Sequence, residues 1–505
     1  MPRTIPAEGA LSRGSAGSPD GRWLGLVLGM LVLPMYVALG APSVALPAIA
    51  RALGVPFGAT AWILAAWSLT SALAMPVAGR LMARWSPFRV LATGVVSLAA
   101  GSALAAVGPT LPVVIVGRLI GGAGAGATVI AIFAAATALP GRERQRALAM
   151  IATASATASA CGTLLGGAVA AWLGWRAVLA LPVLALPLLL AASAGRRTFT
   201  RIGHGERAGR VGRDGRLDIV GAAALSVLAG SLITLLQAHS VGLPAPVTVV
   251  VAAAGALAAG GLWWRVRRTP DGFVPRRVVA ARGFLAAALV GGVVFAGYYG
   301  VLFLAPSLIE QATGGGALEA GALLVPAAAC SILAGRLVGS LTARFTAWPV
   351  LAGLAALTAV GVLVVAVLNG PIPVVVGVAL TVCGFAGAQA VLVGLAPQLV
   401  ASYDRDTAQG LLNFMIVLGG GIGPSVVAGL SGIASVPVAL AVLAALPLTG
   451  LVLSLIQRVP TEHRSCREKG DPLWPSSRLR SASPKPRSRI YVTGCDGHGG
   501  PSPSR

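Results

Sequence analysis

The feature that most constrains this chain is a succession of apolar runs, each of about 20 residues, which fills it from Trp23 to Ile456. Of the 505 residues, 56% are hydrophobic and only 10% are charged. A soluble protein could not bury so many apolar side chains, because its interior volume is limited relative to its surface. A helix needs roughly 20 apolar residues to cross the hydrocarbon, so the sequence predicts an all-α polytopic membrane protein.

Fourteen runs are long and apolar enough to be spans. They lie near residues 23–46, 60–82, 88–107, 111–138, 147–170, 175–193, 217–237, 244–265, 282–306, 319–342, 348–369, 371–399, 408–431 and 434–456. The first run is too long for the core of a signal peptide, so we expect it to be a retained span. The tail after Arg458 is polar, basic and rich in Ser, Pro and Gly, and we predict that it is disordered.

The arginines test this count independently. They crowd into alternate loops and into the C-terminal tail, whereas the opposite loops carry only Arg51 and Arg176. Cytoplasmic loops of membrane proteins are enriched in Lys and Arg, so the pattern predicts an even number of spans with both termini in the cytoplasm. A miscount by one span would destroy the alternation.

An internal repeat indicates how the spans are organised. The segment Gly79–Trp85 returns as Gly339–Phe345, 260 residues later. Three further anchors keep an offset of 259 to 261 residues: Ala45-Leu46-Pro47 with Leu304-Ala305-Pro306, Arg144 with Arg405, and Gly162-Thr163 with Gly423-Pro424. We therefore expect a cytoplasmic N-terminal tail (1–22), a six-helix half (23–194), a two-helix insert flanked by basic loops (195–281), a second six-helix half (282–457) and the tail (458–505). Repeated membrane halves are typical of secondary transporters.

Several function classes are disfavoured by the placement of residues. The net charge of +23 resides in short loops and the tail, which indicates membrane topology and lipid headgroups rather than nucleic acid. The five cysteines form no CxxC pair or Cys/His cluster, so neither a disulfide framework nor a metal site is expected. The glycine-rich strings at 121–126 and 419–423 lie inside spans with no preceding strand, which argues against a phosphate site. We expect no enzyme activity and no cofactor.

Three motifs carry a family resemblance. The loop between spans 2 and 3 has Gly79, Leu81 and Arg84, and the repeat of this loop keeps Gly339 and Arg344. Span 4 has the pattern Arg118-x-x-x-Gly122-x-Gly124, and span 5 has Gly162, Gly166 and Gly167. Over about residues 23–456 the chain thus resembles the major facilitator superfamily, and within it the fourteen-span drug:proton antiporter branch. Acidic residues that this branch usually carries are replaced by Ala38 in span 1 and by Ala83 and Ala343 in the loop motifs.

The resemblance implies a monomeric exporter in a bacterial plasma membrane. It would move hydrophobic or amphiphilic small molecules, such as drugs or antibiotics, by alternating access between the two halves, with protons as the counter-transported ion. The expected partners are therefore the substrate, protons and the lipid bilayer. Because the usual acidic residues are missing, two alternatives stay open: an uncoupled facilitator or uptake carrier of the same fold, and a non-transporting membrane sensor.

Three charged residues are candidates for proton coupling. Arg118 lies about 10 Å inside span 4, where a charge is costly and therefore a functional candidate. Such an Arg binds an anionic group or a carboxylate; alternatively, it snorkels outward or bonds to carbonyls of a neighbouring helix. Glu310 and Glu319 flank a short outer loop. A partly buried carboxylate exchanges protons near neutral pH. We expect Arg118 to be an electrostatic partner for Glu310. Alternatively, both carboxylates simply face water.

Polar and aromatic side chains within spans are candidates for a substrate cavity. They are Ser43, Trp67, Tyr298, Tyr299, Gln389 and Asn413. Trp67 and Tyr299 are favoured, because aromatic faces suit planar or cationic lipophilic compounds. Packing between helices is the competing interpretation for each residue, and it is the main expectation for the glycines of spans 4, 5 and 10.

Overall fold

The computed structural model describes residues 19–82, 85–137, 139, 141–194, 218–269, 272–401 and 404–457, and among these residues it contains helices and no strand. The helices are α1 Pro19–Leu53, α2 Ala61–Leu81, α3 Pro87–Val107, α4 Leu111–Thr137, α5 Gly141–Leu173, α6 Trp175–Ala180, α7 Ala185–Ala194, α8 Ile219–Leu236, α9 Ala245–Arg268, α10 Arg276–Val279, α11 Phe284–Thr313, α12 Ala317–Leu323, α13 Val325–Arg344, α14 Ala347–Val367, α15 Pro371–Leu395, α16 Arg405–Ser431 and α17 Val436–Ile456. Short 3-10 turns lie at Phe57–Thr60, Leu181–Leu184 and Ala396–Gln398. The predicted all-α membrane class is confirmed.

Twelve helical segments within the described residues have the length and hydropathy to cross a membrane. Two more contain shorter apolar stretches, Gly162–Leu173 in α5 and Val220–Leu236 in α8. These correspond to the predicted spans 5 and 7. The count of fourteen therefore stays a prediction for those two helices.

The predicted span 10 is broken into α12 and α13. Leu324 separates the two helices, and Pro326 lies in the first turn of α13. Proline has no N–H to give to the carbonyl of the preceding turn, so it is tolerated at a helix start but not in the interior. The uninterrupted helix expected over 319–342 is therefore two helices in the structure.

Helices within each half approach closely at glycines. In the first half, a Cβ on Gly101 of α3 would lie 2.5 Å from the carbonyl oxygen of Gly117 and 2.7 Å from the Cα of Gly121, both on α4. Lipid tails are as apolar as the side chains that face them, so such close backbone packing is a main source of helix association in membranes. The glycine pattern of span 4 is thus accounted for by its contact with α3 and α2.

The aligned repeats make the same contact in both halves. Gly162 of α5 faces Val37 and Ala41 of α1, and Gly423 of α16 faces Ala296 and Gly300 of α11. The residue offsets between the two contacts are 259 to 261. The first and fifth spans of each half therefore pack through equivalent positions.

The two halves are packed closely at one end of the bundle, in addition to the contact of α2 with α16 along the seam. We call the end at which α1 joins α2 the outer end, and the opposite end the inner end, after the orientation that the arginines predict. At the outer end, the rings of Phe57 and Phe303 stack with centroids 4.9 Å apart. There, too, Gly167 of α5 lies directly against Ala317 and Gly321 of α12. By contrast, a Cβ on Gly335 or Gly339, nearer the inner end, would have no neighbouring atom within 4 Å.

The insert lies over the seam between the two halves. Apolar side chains of α8 pack in one cluster with side chains of α2 from the first half and of α16 from the second half. The buried members are Ala65, Leu69, Ala72, Leu225, Ala229, Ile233, Phe273, Phe414 and Leu418. The insert is therefore part of the packed bundle rather than a detached hairpin.

Gly101→Ala and Gly353→Ala make a matched test of glycine packing. The added methyl group at Gly101 overlaps the backbone of α4, so we expect a loss of about 1–3 kcal/mol. Gly353 is exposed in the middle of α14 with open space around it, so its replacement is neutral or stabilises by up to about 1 kcal/mol. Thermal unfolding of the purified variants in detergent measures both changes; equal melting temperatures would contradict the packing role.

Candidate functional site

Arg118 of α4 is fully enclosed within the first half. Its side chain is among the largest fully buried ones, with the whole residue 2% exposed. Nε donates a hydrogen bond to the carbonyl of Ile63 at 2.9 Å, and Nη2 donates to the carbonyl of Ala38 at 3.1 Å. The guanidinium carbon lies 4.1 Å from the centre of the Trp67 ring. One planar cation thus joins α1, α2 and α4, which a lysine could not do with the same geometry.

These contacts bear on the two interpretations of Arg118. Within the described part of the chain, its hydrogen bonds go to backbone carbonyls, and no ion pair joins it to a carboxylate. Ala38 lies in the region of span 1 where the family resemblance implies an acidic residue, and its carbonyl oxygen accepts a hydrogen bond from Arg118. The structure therefore shows the bonding to neighbouring carbonyls, while a role in binding an anionic group stays a prediction.

An aromatic cluster faces this region from the second half. We give this name to Phe295, Tyr298 and Tyr299 of α11 with Phe385 of α15. The ring of Phe385 lies 4.2 Å from Phe295 and 4.6 Å from Tyr298, centroid to centroid. The rings of Tyr298 and Tyr299 are 4.8 Å apart and nearly edge to face. Both predicted tyrosines are buried, so the cluster is a rigid aromatic wall rather than two isolated rings.

Two contacts bring this wall to the first half. The hydroxyl of Tyr36 in α1 lies near the side chains of Ser155 in α5 and Gln389 in α15, which belong to different halves. A Cβ on Gly420 of α16 would lie 3.3 Å from the Tyr299 ring and 3.5 Å from the Ser68 hydroxyl. We call Tyr36, Ser68, Tyr299 and Gln389 the central site. Its aromatic faces and hydroxyl and amide groups suit planar, amphiphilic molecules.

Tyr36 is a site residue that the sequence did not indicate, and Ser68 lies beside the Tyr299 ring. The Ser68 hydroxyl is buried and has no hydrogen-bond partner, and such groups in native proteins call for an explanation. Neither residue has a sequence signal beyond being polar within an apolar run. Of the predicted cavity residues, Tyr298 and Tyr299 contact each other, whereas Trp67 lies against Arg118 and Gly121 within the first half. Contact of any of these residues with substrate stays a prediction.

The other two cavity candidates lie differently. The Ser43 hydroxyl is buried and donates to the carbonyl of Gly40 in its own helix at 2.7 Å. Asn413 is half-buried near the inner third of α16. Neither is joined to the central site by a hydrogen bond in the described residues. The Ser43 hydroxyl has used its donor within its own helix and can offer a ligand only an acceptor.

Glu310 has a partner that the sequence did not indicate. Its carboxylate lies 3.6 Å from the guanidinium of Arg51, which joins the outer ends of α11 and α1 across the seam. The side chain of Glu310 is 14% exposed and that of Arg51 is 75% exposed. The expected partnership of Glu310 with Arg118 is not found in the structure, because the two cations occupy different places: Arg118 bonds inside the first half and Arg51 reaches Glu310. Glu319 lies exposed in the first turn of α12.

The residues of the loop and span 5 motifs fall into two groups, those packed against another helix and those with open space around them. Gly166 of α5 lies against the backbone of Ala41, in the same interface as Gly162, and Gly167 contacts α12 of the other half. Gly79 and Gly339 are exposed with open space around them. Arg344 is exposed, and Arg84 lies outside the described residues.

Next to Gly79, Arg80 makes the contacts that tie the motif to the insert. Its Nη2 donates to the carbonyl of Gly272 at 2.6 Å, and its guanidinium lies 5.1 Å from the centre of the Phe273 ring. Asp218, at the start of α8, accepts hydrogen bonds from the Phe273 and Gly221 amides and from Nε of Arg265. We call this group the inner grip.

The inner grip also fixes the charge of Asp218. Burial raises the pKa of the Asp218 carboxyl, but the hydrogen bonds from Phe273, Gly221 and Arg265, with the charge of Arg265, outweigh burial and hold the pKa below its ordinary value. The carboxylate is therefore ionised at neutral pH. Its contribution to stability is present above the ordinary carboxyl range and is lost only as the pH falls through the lowered pKa. An acidic residue just before an apolar run is a helix-start signal that is visible in the sequence.

Arg118→Lys tests the two-carbonyl role of the guanidinium. Lysine cannot bond both carbonyls while stacking on Trp67, so we expect a loss of about 2–3 kcal/mol in stability. Arg176→Lys is the matched control, because Arg176 also lies over a tryptophan ring, at 4.3 Å, but is exposed. Thermal unfolding in detergent compares the two; equal and small shifts would show that Arg118 does not fasten the first half.

Comparisons with known proteins agree with this geometry. The chain is 26% identical over 309 residues to the puromycin resistance protein pur8 of Streptomyces alboniger, and the match covers 59% of this chain and 58% of that protein. Among solved structures, an auto-inhibited POT-family peptide transporter superposes with a TM-score of 0.59 at 14% identity, covering 88% of this chain and 98% of the other. The human organic anion transporter MFSD10 (TETRAN) superposes with a TM-score of 0.53 at 18% identity, covering 87% and 100%.

These structural likenesses show the fold alone. The family assignment comes from the sequence model of the Major Facilitator Superfamily, which matches residues 28–424 and matches again over residues 287–491. With the helical bundle and this match in agreement, the chain belongs to the Major Facilitator Superfamily and is a membrane transport protein.

Proposed function

We propose that the chain exports hydrophobic or amphiphilic small molecules by alternating access, with proton antiport as the driving force. The observation that carries the proposal is the central site, in which aromatic and polar side chains of both halves meet at the seam. The similarity to a puromycin resistance protein supports a drug or antibiotic as substrate. The central site lacks a carboxylate among its described residues, so a neutral, zwitterionic or weakly anionic amphiphile suits it better than a dication.

Alternating access is supported by the unequal packing of the two ends. The outer end is closed by the contact of Gly167 with Gly321 and by the stacked rings of Phe57 and Phe303. The equivalent closure at the inner end would bring Gly335 and Gly339 of α13 against α5. Their spacing of four residues places them on one side of the helix, and both have room for a close partner in the present conformation.

Glu310 is the proposed proton-binding carboxylate, with Glu319 as the second candidate. Protonation from outside neutralises Glu310 and removes its attraction to Arg51, so it favours opening of the outer end. When the outer end closes, Arg51 returns to the carboxyl, lowers its affinity for the proton and releases the proton toward the inner side, so that each cycle moves one proton inward. In this scheme Arg118 supplies a fixed positive charge beside the central site. The protein would act as a monomer in a bacterial plasma membrane, with both termini in the cytoplasm as the arginine distribution predicts.

An uncoupled facilitator or uptake carrier is the second candidate function. The observation that favours it is that Arg118 is hydrogen-bonded to backbone carbonyls. Among the described residues, this cation is not paired with a carboxylate that could bind a proton. A non-transporting sensor of the same fold is a third candidate, motivated by alanine at both loop-motif acidic positions, Ala83 and Ala343.

Everted membrane vesicles separate these functions. Vesicles that contain the chain are acidified inside by respiration, and puromycin and a panel of lipophilic dyes are added while an acridine dye reports the pH gradient. We expect substrates to collapse the gradient relative to vesicles without the protein. Flux of labelled substrate that does not depend on the gradient would indicate facilitation, and no flux of any compound would indicate the sensor.

Glu310→Gln tests the proposed coupling residue. The neutral amide cannot exchange a proton, so substrate should no longer collapse the gradient, while flux down a substrate gradient persists. Glu319→Gln is the comparison, because Glu319 is exposed and should behave like the unmodified protein. Retained coupling in Glu310→Gln would overturn the assignment, and loss of coupling in Glu319→Gln alone would transfer it to Glu319.

A further inference from the structure

The outer end of the insert is hydrogen-bonded to the second half. Nε2 of Gln237, at the end of α8, donates to the hydroxyl of Ser425 at 2.7 Å, and both side chains are buried. The Ser240 hydroxyl donates to the carbonyl of Ala428 at 2.6 Å. Nε2 of His239 lies 3.1 Å from the carbonyl of Gly432. All the partners belong to α16 or to the residue that follows it, and we call this group the outer grip.

Backbone packing reinforces the outer grip. A Cβ on Gly429 of α16 would overlap the carbonyl of Leu236 at the end of α8. Ser240 also contacts the first half, because a Cβ added at Gly58 would lie 3.4 Å from the Cβ of Ser240. The turn after α8 is therefore wedged between Gly58 of the first half and Ala428 of the second.

The opposite end of the insert holds the first half. Arg80 of α2 binds the Gly272 carbonyl and covers the Phe273 ring, and Asp218 fixes the same loop through the Phe273 amide. Between the two grips, α8 packs along the seam through Leu225, Ala229 and Ile233. A hairpin that only faced lipid would need apolar contacts alone, whereas this one carries a buried bond between two polar side chains at the seam.

We propose that the two-helix insert is a clamp that holds the seam between α2 and α16 in its outer-closed form. Opening the outer end moves α16 away from α2, so the insert must release either its outer grip or its inner grip. The outer-closed form has an energetic cost, because the Ser68 hydroxyl and Oε1 of Gln237 are buried without hydrogen-bond partners among the described residues. The clamp offsets this cost. This role concerns the balance between conformations and goes beyond the proposed transport activity.

The experiment measures that balance without substrate. The full chain, with its five native cysteines replaced by alanine, carries spin labels at Ala52→Cys and Gln311→Cys, two exposed outer positions on α1 and α11. Pulsed electron resonance in lipid nanodiscs then gives the distances between the labels. Neither label lies on the insert, so the distances report the two halves alone.

Removing the outer grip should favour the open form. A net hydrogen bond corresponds to about a fivefold change in an equilibrium constant, so Gln237→Ala with Ser240→Ala should raise the ratio of long to short distances by roughly tenfold or more. Ser226→Ala is the matched control, because this serine of α8 bonds only to the Ala222 carbonyl of its own helix. A distribution identical to the control would overturn the proposal.

A second comparison distinguishes a clamp from independent contacts. Arg80→Gln or, where that variant is unstable, Asp218→Asn weakens the inner grip. A clamp fails when either end is released, so the outer-grip variant and the inner-grip variant should each raise the population of the outer-open form. A protein that carries both sets of substitutions should show little further increase. Additive effects would overturn the clamp. Monodisperse elution and a normal melting temperature confirm folding, and since no transport is measured, an inactive protein leaves the result valid.

Discussion

The constraint on which the structure depends is that hydrocarbon offers no hydrogen bonds to a polypeptide. Every backbone group inside the bilayer must be satisfied within the protein, so the spanning segments are helices. Helices in lipid gain little from the hydrophobic effect when they associate, and close backbone contact takes its place. The glycines at the α3–α4, α1–α5 and α11–α16 contacts meet this requirement, and they set how near the helices of each half can come.

The same constraint explains the surroundings of the charged groups. Arg118 cannot be left without partners in this medium, and two carbonyl oxygens and a tryptophan ring satisfy it within the first half. Glu310 lies at the outer end, where Arg51 reaches it from the first half. One cation therefore stabilises a half, and the other joins the two halves. Function assigned to either residue has to be compatible with these structural roles.

Much of the architecture could be predicted because it depends on local patterns. Long apolar runs predicted the helices and the membrane class, and the interior position of Arg118 followed from its place in a run. The division into two halves and an insert stays a prediction from the repeat. Partners could not be predicted. Arg51 and Glu310 are 259 residues apart in sequence, and Arg80 meets Gly272 across a similarly long separation, so only the folded chain brings them together. The break at Leu324 had a visible signal in Pro326, which an apolar-run count ignores.

That break has a mechanical consequence. A continuous helix transmits bending along its hydrogen-bond ladder, but the ladder of span 10 is already interrupted between α12 and α13. Turning one segment relative to the other there costs few intrahelical bonds. The seven residues of α12 can remain seated on α5 while the longer α13 changes its tilt. In the proposed alternating access, a boundary between moving parts would thus lie inside a span, and not at the loops that divide the sequence.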